Sequence, residues 1–231
     1  MTSESEWIAV DMGMIDYKKA HALQRQVLEY RHTQKFDQDL VLLLEHPPVF
    51  TLGRRGGRHN LIVDEAFLQS KGIDIIQAER GGDVTYHAPG QLVVYFLIDL
   101  KFQGIDIPVL VQSLETVMIR TAGDFGIEAH RDSRNPGIWV KGKKLGSIGI
   151  AIRHGISFHG IALNVNTDMT PFQWVHSCGL KDVSMTSLAA ENKTPLHIKA
   201  IKRTIGHHIE RVFDIRLKFL SPAELSNQLL S

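Results

Sequence analysis

The chain has 231 residues, 43% of them hydrophobic and 22% charged, with 26 basic side chains against 25 acidic ones. That length and apolar content suit one domain over residues 1–231, and a net charge of +1 excludes a global pull toward nucleic acid or an anionic membrane. A single cysteine, Cys178, excludes an intramolecular disulfide and fits a reducing compartment; no apolar run approaches the ~18 residues of a membrane span, so the expected location is the cytoplasm.

The first predicted element is a helix over Asp16–Thr33, where Tyr17, Ala20, Leu23, Val27 and Tyr30 recur every three or four positions. Leu40–Glu45 reads as a buried strand stopped by His46-Pro47-Pro48. Asp64 caps a short helix through Ser70, and Ile73–Ala78 and Gln91–Leu100 read as strands. A helix from Pro108 to Phe125 presents Val111, Leu114, Met118, Ala122 and Phe125 as one apolar stripe. Gly137–Val140, Leu145–Ile152 and Ser157–Val165 read as three strands whose short links require antiparallel pairing. Leu196–Phe213 is a helix and Arg216–Leu220 a strand. Ser221-Pro222-Ala223-Glu224 has the form of a capping box that opens a last helix ending near Leu230. Hairpin-linked strands with helices set among them predict an α+β fold with a mixed, largely antiparallel sheet packed with helices.

Four segments could carry chemistry. Cys178 lies in an irregular stretch between Pro171 and Gly179, where a rigid scaffold often holds a nucleophile, although a lone thiol more commonly packs as a small hydrophobe. A reactive thiol needs help to ionise at neutral pH, since its free pKa is ~8.5. In a regular strand Lys144 would share a face with Gly146, Ile148, Ile150 and Ile152, so it is expected at the mouth of a buried, isoleucine-lined face, where desolvation eases proton exchange. Arg80 to Gln91 combines a cation, two glycines and the same-parity pair Thr85 and His87, without the Gly-Lys-Ser/Thr of a phosphate-binding loop. Gly160, Ala162 and Asn164 form a small-residue face, opposite a face of His159, Ile161, Leu163 and Val165 on which His159 is expected as a hydrogen-bonded core residue. The twelve histidines show no His-Glu-x-x-His and there is no Cys-x-x-Cys, so neither a metal nor any other cofactor is expected.

Taken in order, several stretches resemble the lipoyl(octanoyl) transferase family. They are Leu43 through Gly53, Arg80 through Gln91, Gly137-Ile138-Trp139-Val140, Lys144 through Gly149, Ser157 through Asn166, and Cys178-Gly179. The resemblance implies a fold like the catalytic domain of biotin and lipoate protein ligases. It implies a catalytic pair of Cys178, which would carry the acyl group as a thioester, and Lys144. It implies an acyl site lined by Arg80, Gly81, Gly82, Asp83, Val84, Thr85, Tyr86 and His87, by Ser147, Ile148 and Gly149, and by Gly160, Ile161 and Ala162. The implied reaction, the first step of lipoate cofactor biosynthesis, moves an octanoyl group from octanoyl-acyl carrier protein to a lysine of lipoyl domains. The implied acceptors are the lipoyl domains of 2-oxoacid dehydrogenases and the glycine cleavage H protein. Arg54, Arg55 and Arg58 are candidates for docking an acidic carrier. One departure is Ala88, where the family usually has glycine; the residue before a proline is already biased toward extended backbone, so alanine is expected to be tolerated. Two alternatives stay open at this point, an ATP-dependent lipoate–protein ligase of the same fold and a cysteine hydrolase. An RNA-binding role for the two Arg-Gly-Gly triplets is disfavoured by the near-neutral charge.

Overall fold

Five consecutive buried residues, Leu40–Leu44, lie at the heart of the molecule, in strand β2 (Leu40–Glu45). A computed structural model describes residues 5–176 and 183–230. Strand β2 is flanked by β1 (Ser5–Met14) and β6 (Gln91–Leu97). The sheet continues from β6 through β9 (Ile156–Asn164) and β8 (Lys143–Arg153) to β7 (Gly137–Val140), and on its other side ends at β10 (Ile215–Leu220). Strands β10, β1 and β2 run parallel, while the β2–β6–β9–β8–β7 run is antiparallel throughout. The expected α+β class with a mixed, largely antiparallel sheet is therefore observed.

Both faces of this sheet are covered, which is why β2 is apolar at five consecutive positions rather than at alternate ones. On one face, Val41, Leu43, Val94 and Phe96 pack against Leu114 and Met118 of α3 (Ile107–Asp124) and Ile201 and Ile205 of α5 (Ile198–Phe213). On the other, Leu40, Leu42, Leu44 and Leu97 pack against Val27 and Leu28 of α1 (Tyr17–His32) and Leu225 and Leu229 of α6 (Pro222–Leu230). Asp16 caps α1 by accepting from the Lys19 amide at 3.1 Å. Ser221 and Glu224 form the expected box at the start of α6, with each side chain accepting the other's amide. Among the described residues no helix is long and apolar enough to cross a membrane.

A smaller three-stranded sheet, β4–β3–β5, is built from β3 (Val49–Leu52), β4 (Asp74–Gln77) and β5 (Val84–His87), with α2 (Glu65–Ser70) between β3 and β4. The Gly81 amide donates to the Ile150 carbonyl of β8 at 2.8 Å, and the Gly90 amide to the Glu45 carboxylate at the end of β2 at 2.8 Å. The small sheet is thereby tied to the large one at both ends of the 80–90 segment. Ala88 is buried and does not adopt positive φ, which falls instead on Gly90 at +82°. Alanine thus meets no backbone penalty at position 88.

Three strands, β1, β3 and β5, lie outside the elements expected from the sequence, and so does the one-turn helix α4 (Leu188–Asn192). A further difference matters for chemistry. In the β7–β8 pairing Ile138 faces Gly146 and Trp139 faces Lys144, so Leu145 is an extra residue on β8. This bulge shifts side-chain parity by one. Leu145 joins Ile138 and Val140 in the core beneath α3, and Ile148 and Ile150 pack against that same core while Ile152 is 38% exposed. Lys144 does not share the isoleucine face as expected; it points with Trp139 to the opposite side of the sheet.

Candidate active site

The side of the sheet to which Lys144 turns carries a concavity roofed by the 80–87 segment. Its walls include Val93 and Tyr95 of β6, Gly160 and Ala162 of β9, and Ser147 and Gly149 of β8, with backbone from Ile148 and Ile161 between them. The small residues are required by close approach. A methyl group on Gly160 would lie 2.1 Å from the Val94 carbonyl oxygen, and one on Gly149 would lie 3.0 Å from the Arg80 Cδ. Across the cavity stand Arg80, Gly82, Asp83, Val84, Thr85 and His87. Gly81 and Tyr86, also singled out in the sequence, do not line it. Gly81 is engaged with Ile150, and Tyr86 points away from Thr85 and His87 by strand alternation, packing on Phe50 and Phe172 at 5.0 and 5.5 Å between ring centres.

Arg80 starts a directed chain of hydrogen bonds. A guanidinium can only donate, and it gives two bonds to the Thr51 hydroxyl oxygen at 2.8 and 3.2 Å and one to the Thr51 carbonyl at 2.7 Å. The Thr51 hydroxyl therefore directs its own proton to His87 Nε2 at 3.3 Å, and His87 Nδ1 donates to the Gln91 amide oxygen at 2.7 Å. Gln91 donates to Asn164 at 2.9 Å, Asn164 to the Thr186 carbonyl at 3.0 Å, and the Thr186 amide to the Lys144 carbonyl at 2.9 Å. Burial holds His87 well below its ordinary pKa, with His46 and Arg80 adding repulsion, so the ring is neutral and one tautomer is selected.

Lys144 is fully buried, its ammonium donating to the Asn135 side-chain oxygen and lying 5.4 Å from the centre of the Trp139 ring. Gly137, at φ +131°, makes room for it: a methyl group there would sit 3.0 Å from Lys144 Cε and 2.3 Å from the Gly146 oxygen. The Gly137 amide is held by the Glu115 carboxylate at 3.0 Å. Asn135 itself lines the cavity, so Lys144 reaches its wall through this amide. Cys178 falls at 177–182, outside the described residues. On one side of that segment the His176 amide donates to the Asn60 carbonyl at 2.8 Å, and Asn60 donates to Asp83 at 2.7 Å. On the other, the Lys144 amide donates to the Ser184 carbonyl at 2.9 Å.

The sequence reading missed Tyr17, Val93, Tyr95, Asn135 and His159 as cavity residues. Tyr17 had registered only as part of a helical apolar stripe. His159 departs from its expected face because its backbone sits at φ +58°, which turns the ring beside Phe158, at 4.8 Å, and edge-on to Tyr95. Behind these rings His46 Nδ1 donates to the Ile15 carbonyl at 2.7 Å, leaving Nε2 to accept from the Tyr95 hydroxyl at 2.8 Å. Burial pulls His46 down to about 4 and His159 to about 3, and pushes Tyr17 up to about 12. Among the described residues no three His, Cys, Asp or Glu side chains are grouped to hold a metal ion.

A model of the lipoyl protein ligase A/B catalytic domain matches residues 16–210, which takes in every wall of this cavity. The chain belongs to that family. As a lipoyl protein ligase A/B domain it is 46% identical over 198 residues to an octanoyltransferase of Desulfotalea psychrophila, covering 85% of this chain and 89% of that one. It is 42% identical over 205 residues to an octanoyltransferase of Syntrophobacter fumaroxidans, covering 89% and 90%. Among solved structures it is similar to the bipartite lipoate protein ligase of Thermoplasma acidophilum, with a TM-score of 0.76 at 16% identity over 97% of this chain and 90% of that one. A lipoate-protein ligase A bound with ATP gives 0.73 at 16% identity over 98% and 92%. At such identities the structural likeness establishes the shared fold of the lipoyl protein ligase A/B domain and nothing finer.

Proposed function

We propose that this protein is an octanoyltransferase in which Cys178 and Lys144 move an octanoyl group from an acyl carrier protein to a lysine of a lipoyl domain. The reading follows the names of its relatives and rests on one observation about the chain itself. Lys144 is fully buried at the cavity, and the described residues on both sides of 177–182 are bonded to its surroundings, Ser184 to Lys144 directly and His176 through Asn60 to Asp83. Cys178 is two residues beyond His176, a reach of at most about 7 Å for extended chain.

In the proposed reaction the Cys178 thiolate attacks the thioester carbonyl of the carrier. The carbon–sulfur bond to the carrier breaks, and its thiol leaves with a proton supplied by Lys144. The acceptor lysine amine then attacks the Cys178 thioester, Lys144 takes the amine proton, and the thiolate is restored. A thioester is exchanged for a thioester in the first half, so no nucleotide is needed. The acyl chain would lie along the strip from Ser147 and Ala162 to Gly149 and Gly160, opposite Arg80 to His87. Lipoyl domains of 2-oxoacid dehydrogenases and the glycine cleavage H protein are the proposed acceptors, the whole chain is taken as one catalytic domain, and the cytoplasm is the proposed site of action.

Intact-mass spectrometry after mixing with octanoyl-acyl carrier protein tests this. An octanoyl adduct on the wild type that is absent from Cys178→Ser supports it. A wild-type protein that transfers the group without ever carrying it, or that consumes ATP and free acid instead, overturns it.

A further inference from the structure

The far end of the cavity from Lys144 is unlike its walls. Register places Ser147, Ala162 and Val93 in one row and Gly149, Gly160 and Tyr95 in the next, so the slot runs along the strands away from Lys144. It is closed by Tyr17 and His159, with His21 stacked on both at 6.2 and 5.5 Å between ring centres. Gln24, from the next turn of α1, accepts the His159 amide at 2.7 Å. Tyr17 Oη, His21 Nε2, Gln24 Nε2 and His159 Nε2 are all buried and find no hydrogen-bond partner among the described residues. Four such atoms in one place are unusual, because buried polar groups are ordinarily satisfied, and the sheet beyond them is apolar and packed with Phe158, Ala151 and Leu97.

The geometry points to a polar end-stop: we propose that Tyr17, His21, Gln24 and His159 determine acyl specificity by favouring a hydrogen-bonding group, water or a chain-terminal hydroxyl, over a methyl at the closed end. This deepens the acyl-pocket reading and rests on it. A chain short enough to leave these atoms solvated binds normally. One that reaches them with a methyl strips their hydrogen bonds and returns none. A chain of the same length ending in hydroxyl replaces them. A wall that limited length by volume alone would treat the two ends alike, since methyl and hydroxyl are nearly the same size.

Equilibrium binding of free acids decides the matter without requiring transfer. Linear acids of increasing length are titrated into the wild type and Tyr17→Phe to find the length at which affinity first falls. At that length the methyl-ended acid is compared with its ω-hydroxy isostere. The expected result is that Tyr17→Phe shifts the methyl-to-hydroxyl affinity ratio toward methyl by about tenfold, the scale for one buried polar group left unsatisfied. A length limit blind to the last atom, with an unshifted ratio in Tyr17→Phe, overturns the end-stop while leaving the acyl pocket intact. Failure of every acid to bind, octanoic acid included, overturns the pocket reading and the end-stop with it.

Discussion

His46 is fully buried between the Ile15 carbonyl and the Tyr95 hydroxyl, and His159 is buried beside Tyr95 and Phe158. Acid is the perturbation that exposes the energetic consequence. Both rings have folded pKa values depressed below the unfolded 6.5, to about 4 and about 3. Below pH 6.5 the unfolded chain binds protons that the native state refuses, so stability is fully present above that value and falls as the pH drops toward the folded ones. Each unit of the window costs about 1.4 kcal/mol per histidine, so at about pH 5 each ring has cost about 2 kcal/mol and the two together about 4. That is a large part of a typical domain's stability of about 5–15 kcal/mol. Urea unfolding at neutral pH and at about pH 5 measures the loss. Comparing wild type with His46→Asn isolates one ring, because carboxylates and other shared groups cancel in the difference. The variant should lose about 2 kcal/mol less than the wild type over this interval. Parallel losses in the two proteins would refute the claim that His46 is held neutral by burial.

Removing the oxygen that receives the Lys144 ammonium, in Asn135→Ala, should slow acyl transfer by up to about a hundredfold with little change in KM in steady-state kinetics, as expected for a misplaced acid–base group. Gly149→Ala would press a methyl against Arg80 Cδ at 3.0 Å and the Gly81 carbonyl oxygen at 3.2 Å, and should weaken octanoate binding in titration calorimetry and lower the thermal midpoint. Thr51→Val removes the hydroxyl that joins Arg80 to His87 and should lower stability by about 1–3 kcal/mol in urea unfolding; a neutral result would mean the Arg80–His87 chain carries no net stability.

The helices other than α4 were legible from a buried stripe or a capping residue, and β2 from its five consecutive apolar residues. Strand β1 was not, since its buried run Trp7–Val10 gives way to Asp11 and a register shift before Gly13, which breaks any period. The glycines and the 80–87 segment could be located from their composition and order. Tyr17 and Gln24 could not be separated from an ordinary helix face, because what gives them meaning is a contact to His159, 135 residues from Gln24. His159 itself was assigned to the wrong face because strand parity assumes negative φ at every step. The Lys144 side was misjudged for a similar reason: a bulge leaves no mark in the sequence Lys144-Leu145-Gly146.

That bulge makes the placement of Lys144 a matter of where β8 breaks its alternation. Leu145 and Gly146 both serve the helix-side core, and this pair of successive residues on one face is what turns Lys144 to the cavity side. Exchanging Leu145 for another aliphatic residue alters packing locally. Deleting it would set Lys144 directly before Gly146, where ordinary alternation still holds the lysine on the cavity side, and what would be lost is the Leu145 contact beneath α3. A single-residue gap at position 145 should therefore leave the lysine in place and tell on stability instead, an outcome that strand periodicity read from the intact sequence would get backwards.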